Sequence, residues 1–312
     1  MSRLIIQRLF QLVFVLFSIT FLTFVVSYLA PGDPIRNLMG GRQDPVRYAF
    51  LRHLYGLDQP WYDQYLSYVN NLLHGNLGYS FKYAERPVWD LISRGVPVSF
   101  ELGGLALVLS VVVGVPAGMY AALRQNTWQD TATMGVMLAL YSIPSFVLIP
   151  IFWAFDLLLY NHKLPFLPVA GWGKPENLVL PVLVLAAGNV GFIARLTRGS
   201  MLEVMRQDYV RTARAKGLRP NQILWGHIFR NAMIPLLTVL GPATAFLVTG
   251  AFIVENLFQI PGIGFLSVQS IGQRDYPVIQ ATTIMLALAV VSMNLVTDMA
   301  YIFVDPRIRE ER

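Results

Sequence analysis

Six apolar stretches, each close to the length that a helix needs to cross a lipid bilayer, divide the 312-residue chain. A helix requires roughly 20 mostly apolar residues to span the hydrocarbon core. Composition agrees, because 55% of the residues are hydrophobic, 13% are charged and the mean hydropathy is +0.51. We therefore predict an all-α membrane protein with six transmembrane helices. The stretches are residues 9–29, 102–123, 132–155, 178–194, 232–254 and 278–304.

The first stretch follows Arg3 and Arg8, as the apolar core of a secretory signal would. Its apolar run is too long for a signal, and no small-residue cleavage site precedes Pro31-Gly32-Asp33-Pro34. We expect a retained helix.

Basic residues indicate the orientation of the chain. With the N-terminus in the cytoplasm, 14 of the 24 Lys and Arg residues lie inside, and the short outer loops hold only Lys163, Lys174 and Arg274. The other seven fall in residues 30–101, a loop long enough to escape the charge rule. Both termini are therefore predicted to be cytoplasmic. This asymmetry explains the net charge of +6, and no basic folded face indicates nucleic-acid binding.

The outer loop after the first span contains WYDQYLSYVNNLL, residues 61–73, with aromatic residues and leucines at helical spacing. Gly75, Gly78 and Pro87 then interrupt it. We expect two or three short helices on the outer face of the membrane. They either cover the ends of the spans or contact substrate.

The predicted spans are rich in helix breakers. These are tolerated in lipid where neighbouring helices or a water-filled cavity satisfy the freed backbone groups. The spacing of Gly114 and Gly118 also lets helices approach closely. The breakers are Gly114, Pro116, Gly118, Pro144, Pro150, Pro181, Gly241 and Pro242.

Catalytic chemistry leaves no trace in the sequence. The four histidines are scattered, and neither H-E-x-x-H, G-x-S-x-G nor a pair of acids in mid-span occurs. There is no cysteine, so a thiolate metal site is impossible. We predict that the chain is not an enzyme, has no metal and holds no cofactor.

Three acids lie within or beside the spans: Asp156 and Glu255 near outer ends, and Asp298 near an inner end. We expect each to reach an interface by snorkelling, which disfavours the buried carboxylate relay of a proton-driven carrier. G-x-x-x-x-G-K-[ST] is also absent, so any ATP that drives transport binds elsewhere.

The segment of residues 195–230, which joins the fourth and fifth spans, is basic. Met201, Met205, Tyr209 and Ala213 recur every four residues and predict an apolar stripe on a helix continuing from span four. Gly217 predicts a left-handed helix stop, and Pro220 delays a second helix over residues 221–231 with an Asn near its cap. Periodicity and charge leave two functions open: a rigid contact for a partner, or a basic segment on anionic headgroups.

This segment resembles the cytoplasmic coupling loop of type I ABC importer permeases, whose signature is E-A-A-x-x-x-G followed by I-x-L-P. Arg211-Thr212-Ala213 occupies the E-A-A position and Gly217 matches the glycine. The chain departs from the signature by Arg for Glu, by Thr for the first Ala, and by a late proline, Pro235.

These departures are typical of the dipeptide and oligopeptide permeases, which the chain resembles over nearly its whole length. The shared stretches are DYVRTARAKG (208–217), HxxRNAxxP (227–235), LAPGDP (29–34), GNLGYS (75–80), VENLFQIPGIG (254–264) and RDYPVIQA (274–281).

The resemblance implies a type I importer permease fold, with residues 1–95 as first helix and outer loop, 96–304 as permease domain and 305–312 as cytoplasmic tail. It implies that the coupling loop enters a groove on a cytoplasmic ATPase, where Ala213 and Gly217 set its shape and its basic residues meet acidic or carbonyl groups. The implied coupling residues are Tyr209, Arg211, Thr212, Ala213, Arg214, Ala215, Lys216, Gly217 and Leu218.

Partners follow from the same resemblance: a homologous second permease chain, two ATP-binding cassette subunits that hold ATP and Mg²⁺, and an external solute-binding protein. The outer loop and the VENLFQIPGIG turn would face the binding protein. The residues expected there are Glu255, Phe258, Pro261, Gly262 and Gly264.

The predicted function is therefore that of a permease subunit, in the plasma membrane of a bacterium or archaeon, for di- or oligopeptides. The alternatives are a proton-coupled secondary carrier, a permease for nickel chelates, glutathione or oligosaccharides, and a scaffold whose basic loop binds lipid.

Overall fold

The computed structural model describes residues 2–39, 44–83, 86–162 and 167–304, with the backbone alone for residues 2–9, 37, 238–250 and 298–304. These residues form α-helices, one π-helical turn at Leu224–Phe229 and no strand. The predicted tail, 305–312, lies outside them. The helices are α1 (Ser2–Leu29), α2 (Pro34–Leu38), α3 (Pro45–Leu54), α4 (Trp61–Leu73), α5 (Val88–Leu123), α6 (Trp128–Ser142), α7 (Ser145–Asn161), α8 (Glu176–Met205), α9 (Asp208–Ala215), α10 (Pro220–Ile223), α11 (Arg230–Leu257), α12 (Ile263–Gln273) and α13 (Tyr276–Val304).

Four of the described helices, α1, α5, α8 and α13, are long and apolar enough to cross a membrane. The third predicted span, 132–155, covers two helices, α6 and α7, which are apolar enough to span only when taken together and are bent by 109° at the break between them. Pro144 causes the break, because it lacks an N–H group and holds Ile143 in an extended conformation (ψ 118°). The fifth predicted span lies in α11, where residues 238–250 are described by their backbone alone.

The chain divides into two compact units. The first comprises residues 1–99 and 259–291, and the second comprises residues 100–258 and 292–312.

Helix α8 is the centre of the second unit, where it packs against α5, α6, α7 and α11. Its approach to α5 is close: a Cβ atom on Gly118 would lie 2.3 Å from the carbonyl oxygen of Ala194. Its approach to α6 is equally close, since a Cβ on Gly191 would lie 2.1 Å from the carbonyl oxygen of Met137. The prediction that Gly114 and Gly118 permit close helix contact is confirmed.

The first unit contains the three short helices α2, α3 and α4, which confirms that two or three short helices follow span one. Asp33 of the LAPGDP stretch begins this region by accepting a hydrogen bond from the N–H of Ile35 (2.9 Å). The Tyr48 hydroxyl donates to the same carboxylate (2.5 Å), and this bond raises the pKa of Tyr48 above its ordinary value. Asp33 thereby joins α2 to α3.

Helix α12, which the sequence did not predict, brings distant motifs of the first unit together. Its first residue, Ile263, packs with Val88 and Ile92 of α5 and with Val278 of α13. Beyond its end, Asp275 is buried and accepts hydrogen bonds from the Ser80 hydroxyl and from the backbone N–H groups of Phe81 (3.0 Å) and Lys82 (3.2 Å). The GNLGYS and RDYPVIQA stretches therefore meet.

Candidate functional site

The basic segment between α8 and α11 begins with an unpredicted break. Helix α8 ends at Met205, and α9 starts at Asp208 after an extended Gln207 (ψ 148°). The predicted stripe through Tyr209 is therefore wrong: Tyr209 is exposed and Val210 is buried in its place. The break changes the helical register, so that Val210 and Ala213, three residues apart, share the inward face of α9. Residues 206–220 are called the elbow below.

The inward face of the elbow packs on a small hydrophobic core. Val210 and Ala213 join Ala122 at the end of α5 and Met201 near the end of α8, together with Ile223, Ile228 and Ala232. Fully burying a side chain such as Val210 contributes roughly 1.5–3 kcal/mol. The elbow is therefore fixed to the ends of α5 and α8 and to the start of α11.

The turn after α9 requires a glycine. Gly217 has φ +74° and donates a hydrogen bond to the carbonyl of Arg214 (3.0 Å), while Leu218 donates to the carbonyl of Ala213 (3.3 Å). These two bonds form a Schellman motif, which satisfies the last carbonyls of α9. No atom lies within 4 Å of the position of a Cβ on Gly217, so its backbone conformation alone selects glycine. The predicted left-handed stop is confirmed.

The second arm of the elbow starts one residue earlier than predicted. Arg219 is the N-cap of α10, Pro220 is its first residue, and the Arg219 N–H donates to the side-chain carbonyl of Gln222 (3.0 Å). Asn221 is the second residue of α10 and so lies near the cap, as predicted. Proline suits this position because the first helical N–H has no partner in the helix. A π-helical turn then leads directly into α11.

The outward face of the elbow is cationic. Arg211, Arg214, Lys216 and Arg219 are all exposed, and of the predicted coupling residues only Ala213 is buried. Arg211 pairs with Asp208 at 3.5 Å, and both side chains are exposed. Such pairs contribute about 0–1 kcal/mol, so this one leaves Arg211 available to another partner.

An ion pair between a buried acid and a half-buried arginine supports the base of the elbow. Arg198 of α8 donates from Nε and from Nη2 to the two carboxylate oxygens of Asp130, at 2.7 Å each. Asp130 is 4% exposed and also accepts from the N–H of Asn126 (3.1 Å). This pair, here named the brace, joins α8 to the first turn of α6. The sequence did not predict the brace, because its partners are 68 residues apart. The available signal was Asp130 itself, a lone acid predicted to lie on the same side of the membrane as the basic segment.

The residues expected to face a binding protein are mostly buried. Only Pro261 is exposed, whereas Glu255, Phe258, Gly262 and Gly264 are buried. The Phe258 ring packs edge-on against Trp153 (5.8 Å between centroids), and its carbonyl accepts from the N–H of Gly171 (2.9 Å).

The expectation that Asp156 and Glu255 reach an interface is also wrong, since both are buried. Asp156 accepts a hydrogen bond from the N–H of Leu167 (2.8 Å) and so joins α7 to the segment that leads to α8. The side chain of Asp298 lies outside the described residues. Within the described part of the chain, no group of three His, Cys, Asp or Glu residues has the geometry to hold a metal.

Solved structures first establish the fold. A chain of the MetNI methionine ABC transporter, in an inward-facing conformation, has a TM-score of 0.58 at 19% identity, covering 69% of this chain and 96% of that one. A chain of an amino acid ABC transporter has a TM-score of 0.52 at 15% identity, covering 68% and 93%. The fold is that of the type I ABC importer permeases.

Sequence comparison then gives the family. The chain belongs to the binding-protein-dependent transport system inner membrane components, whose model matches residues 114–310 and whose N-terminal model matches residues 1–103. The dipeptide transport system permease protein DppB of Bacillus subtilis is 41% identical over 99% of this chain and 98% of its own length. The oligopeptide transport system permease protein OppB of Salmonella typhimurium is 37% identical over 99% and 100%. Membership favours a permease over a secondary carrier or a scaffold.

Proposed function

We propose that this chain forms half of the translocation pathway of an ATP-driven importer of di- or oligopeptides. The curated relatives support this cargo, since they match over their full length and carry the names of dipeptide, di/tripeptide and oligopeptide permeases. A solute-binding protein delivers the peptide, and a homologous second chain supplies the other half of the pathway. ATP and Mg²⁺ bind to two separate ATP-binding cassette subunits, so this chain is a permease and not a catalyst.

The structure of the elbow is the main observation that supports the proposal. It combines an exposed cationic face, through Arg211, Arg214 and Lys216, with a buried face fixed to the ends of α5, α8 and α11. A segment that only rested on lipid headgroups would not need both the brace beneath it and a Schellman turn at its tip. A rigid contact transmits displacement, and so suits a joint between the spans and a cytoplasmic motor.

Coupling then assigns a role to each part of the elbow. Closure of the ATPase dimer moves α9, whose Val210 and Ala213 displace the ends of α5 and α8 with it. The basic side chains meet acidic or carbonyl groups of the ATPase, and Gly217 sets the shape of the tip. Under this proposal the elbow is cytoplasmic, with both termini on the same side of a bacterial or archaeal plasma membrane, and the basic residues predicted to lie inside support that orientation.

Transport by the reconstituted assembly tests the proposal. The chain is purified with the second permease and the ATPases that accompany it, placed in proteoliposomes with the binding protein, and supplied with a radiolabelled dipeptide. We expect uptake that requires ATP and the binding protein. Uptake driven by a pH gradient alone, without ATP, would contradict the proposal.

A further inference from the structure

Helix α4 has a wide apolar surface for a segment outside the spans. At about 100° per residue, its polar side chains fall on one arc and its apolar and aromatic side chains on the other. The polar arc consists of Asp63, Gln64, Ser67, Asn70 and Asn71.

Part of the apolar arc packs against α1. The ring of Tyr65 lies 5.4 Å from that of Phe21 and 5.2 Å from that of Phe24, measured between centroids. Tyr68 stacks on Phe24 beside it (6.5 Å). These contacts fix the level of α4 along the span.

That level lies inside the apolar part of α1. The span-forming segment of α1 is Phe10–Leu29, and α4 follows its Leu29 end in the chain. Phe24 and Phe21 lie five and eight residues before Leu29, or about 7.5 Å and about 12 Å inward at about 1.5 Å per residue. Helix α4 therefore lies at the boundary of hydrocarbon and headgroups rather than clear of the membrane.

The rest of the apolar arc is uncovered. Tyr62, Leu66 and Leu73 share one side of α4 and are 51%, 63% and 80% exposed. They lie on the arc beside the contact with α1, so this uncovered apolar side is at the level of Phe21 and Phe24.

We propose that α4 is a membrane-interface helix whose Tyr62, Leu66 and Leu73 contact the acyl chains of the outer leaflet. The segment Trp61–Leu73 contains no Lys or Arg, so apolar burial holds it there rather than attraction to anionic lipid. This inference depends on α1 crossing the membrane with its Leu29 end on the outer side, and it does not rest on peptide transport.

Spin labelling tests the proposal directly, because the chain contains no cysteine. Leu66→Cys and Leu73→Cys place a nitroxide on the proposed lipid face, and Asn70→Cys places the matched control on the polar arc of the same helix. Each variant is labelled in the purified assembly in nanodiscs, and the signal of the assembly with the unsubstituted chain is subtracted. Collision with oxygen is compared with collision with a water-soluble nickel chelate.

We expect labels at 66 and 73 to collide mainly with oxygen, and the label at 70 to collide mainly with the nickel chelate. The difference should persist when anionic lipid is replaced by phosphatidylcholine. The proposal fails if positions 66 and 73 are as accessible to the chelate as position 70. It also fails if they are shielded from both reagents, which would indicate that a protein partner covers this face.

Discussion

Arg198 and Asp130 join α8 to α6 through two parallel hydrogen bonds of 2.7 Å, two turns before α8 ends at the elbow. The α5 end that leads into α6 packs on the same core as α9, through Ala122. In the proposed mechanism, displacement of the elbow would be transmitted to α6 through the brace and to α5 through the core. The break between α6 and α7 at Pro144 lies at the far end of this path.

Breaking the brace should destabilise the protein more than breaking an exposed ion pair. Asp130→Asn leaves the guanidinium of Arg198, whose side chain is 27% exposed, without its anionic partner, and hydrogen bonds to charged groups contribute about 1.5–3 kcal/mol. Arg211→Gln, which breaks the exposed pair with Asp208, should cost less than about 1 kcal/mol. Thermal unfolding of the two variants in detergent measures the difference. Equal losses of stability would show that the brace stabilises the protein no more than the exposed pair does.

The turn at Gly217 should tolerate asparagine but not valine. A β-branched residue at φ +74° is strained by roughly 1–2 kcal/mol, whereas asparagine adopts this region more readily. We expect Gly217→Val to abolish ATP-driven uptake without affecting membrane insertion, and Gly217→Asn to keep most of it. Should the valine variant transport at the normal rate, the shape of this turn is irrelevant to coupling.

The crossing of α5 and α8 at Gly118 should not accept a larger side chain. Gly118→Val would force atoms against the Ala194 carbonyl, and overpacking of this kind costs about 1–3 kcal/mol. Gly104 of the same helix has no atom within 4 Å of its Cβ position, so Gly104→Val is the matched control. The yield of folded protein in size-exclusion chromatography reports the effect, and a similar yield for both variants would refute it.

The hydrogen bond between Ser80 and Asp275 should protect the loop that follows Gly78. Ser80→Ala removes a bond to a buried acid, which is worth about 1.5–3 kcal/mol if the acid is charged, and two backbone N–H groups lose the hydroxyl as acceptor. We expect faster tryptic cleavage after Lys82 in this variant. Ser93→Ala, at an exposed serine, is the control, and its cleavage rate should match that of the unsubstituted protein.

Local signals in the sequence predicted much of the elbow and of the outer loop. Gly217 predicted the turn after α9 because few other residues adopt a positive φ angle. The spacing of aromatic residues and leucines in residues 61–73 predicted the bounds of α4. The break at Gln207 contains neither glycine nor proline, so the sequence predicted one continuous helix through it. In the structure α9 begins a new helical register after the break. Asp130 and Asp275 found partners 68 and 195 residues away, which local patterns do not report.

Photocrosslinking from the tip of the elbow tests the central claim most directly. A photoreactive phenylalanine analogue replaces Arg214 in the assembled transporter, and the same analogue at Asn70 of α4 is the control. We predict that position 214 crosslinks to an ATP-binding cassette subunit, with and without ATP, and that position 70 does not. Crosslinks from position 214 to lipid alone, in both nucleotide states, would contradict the account.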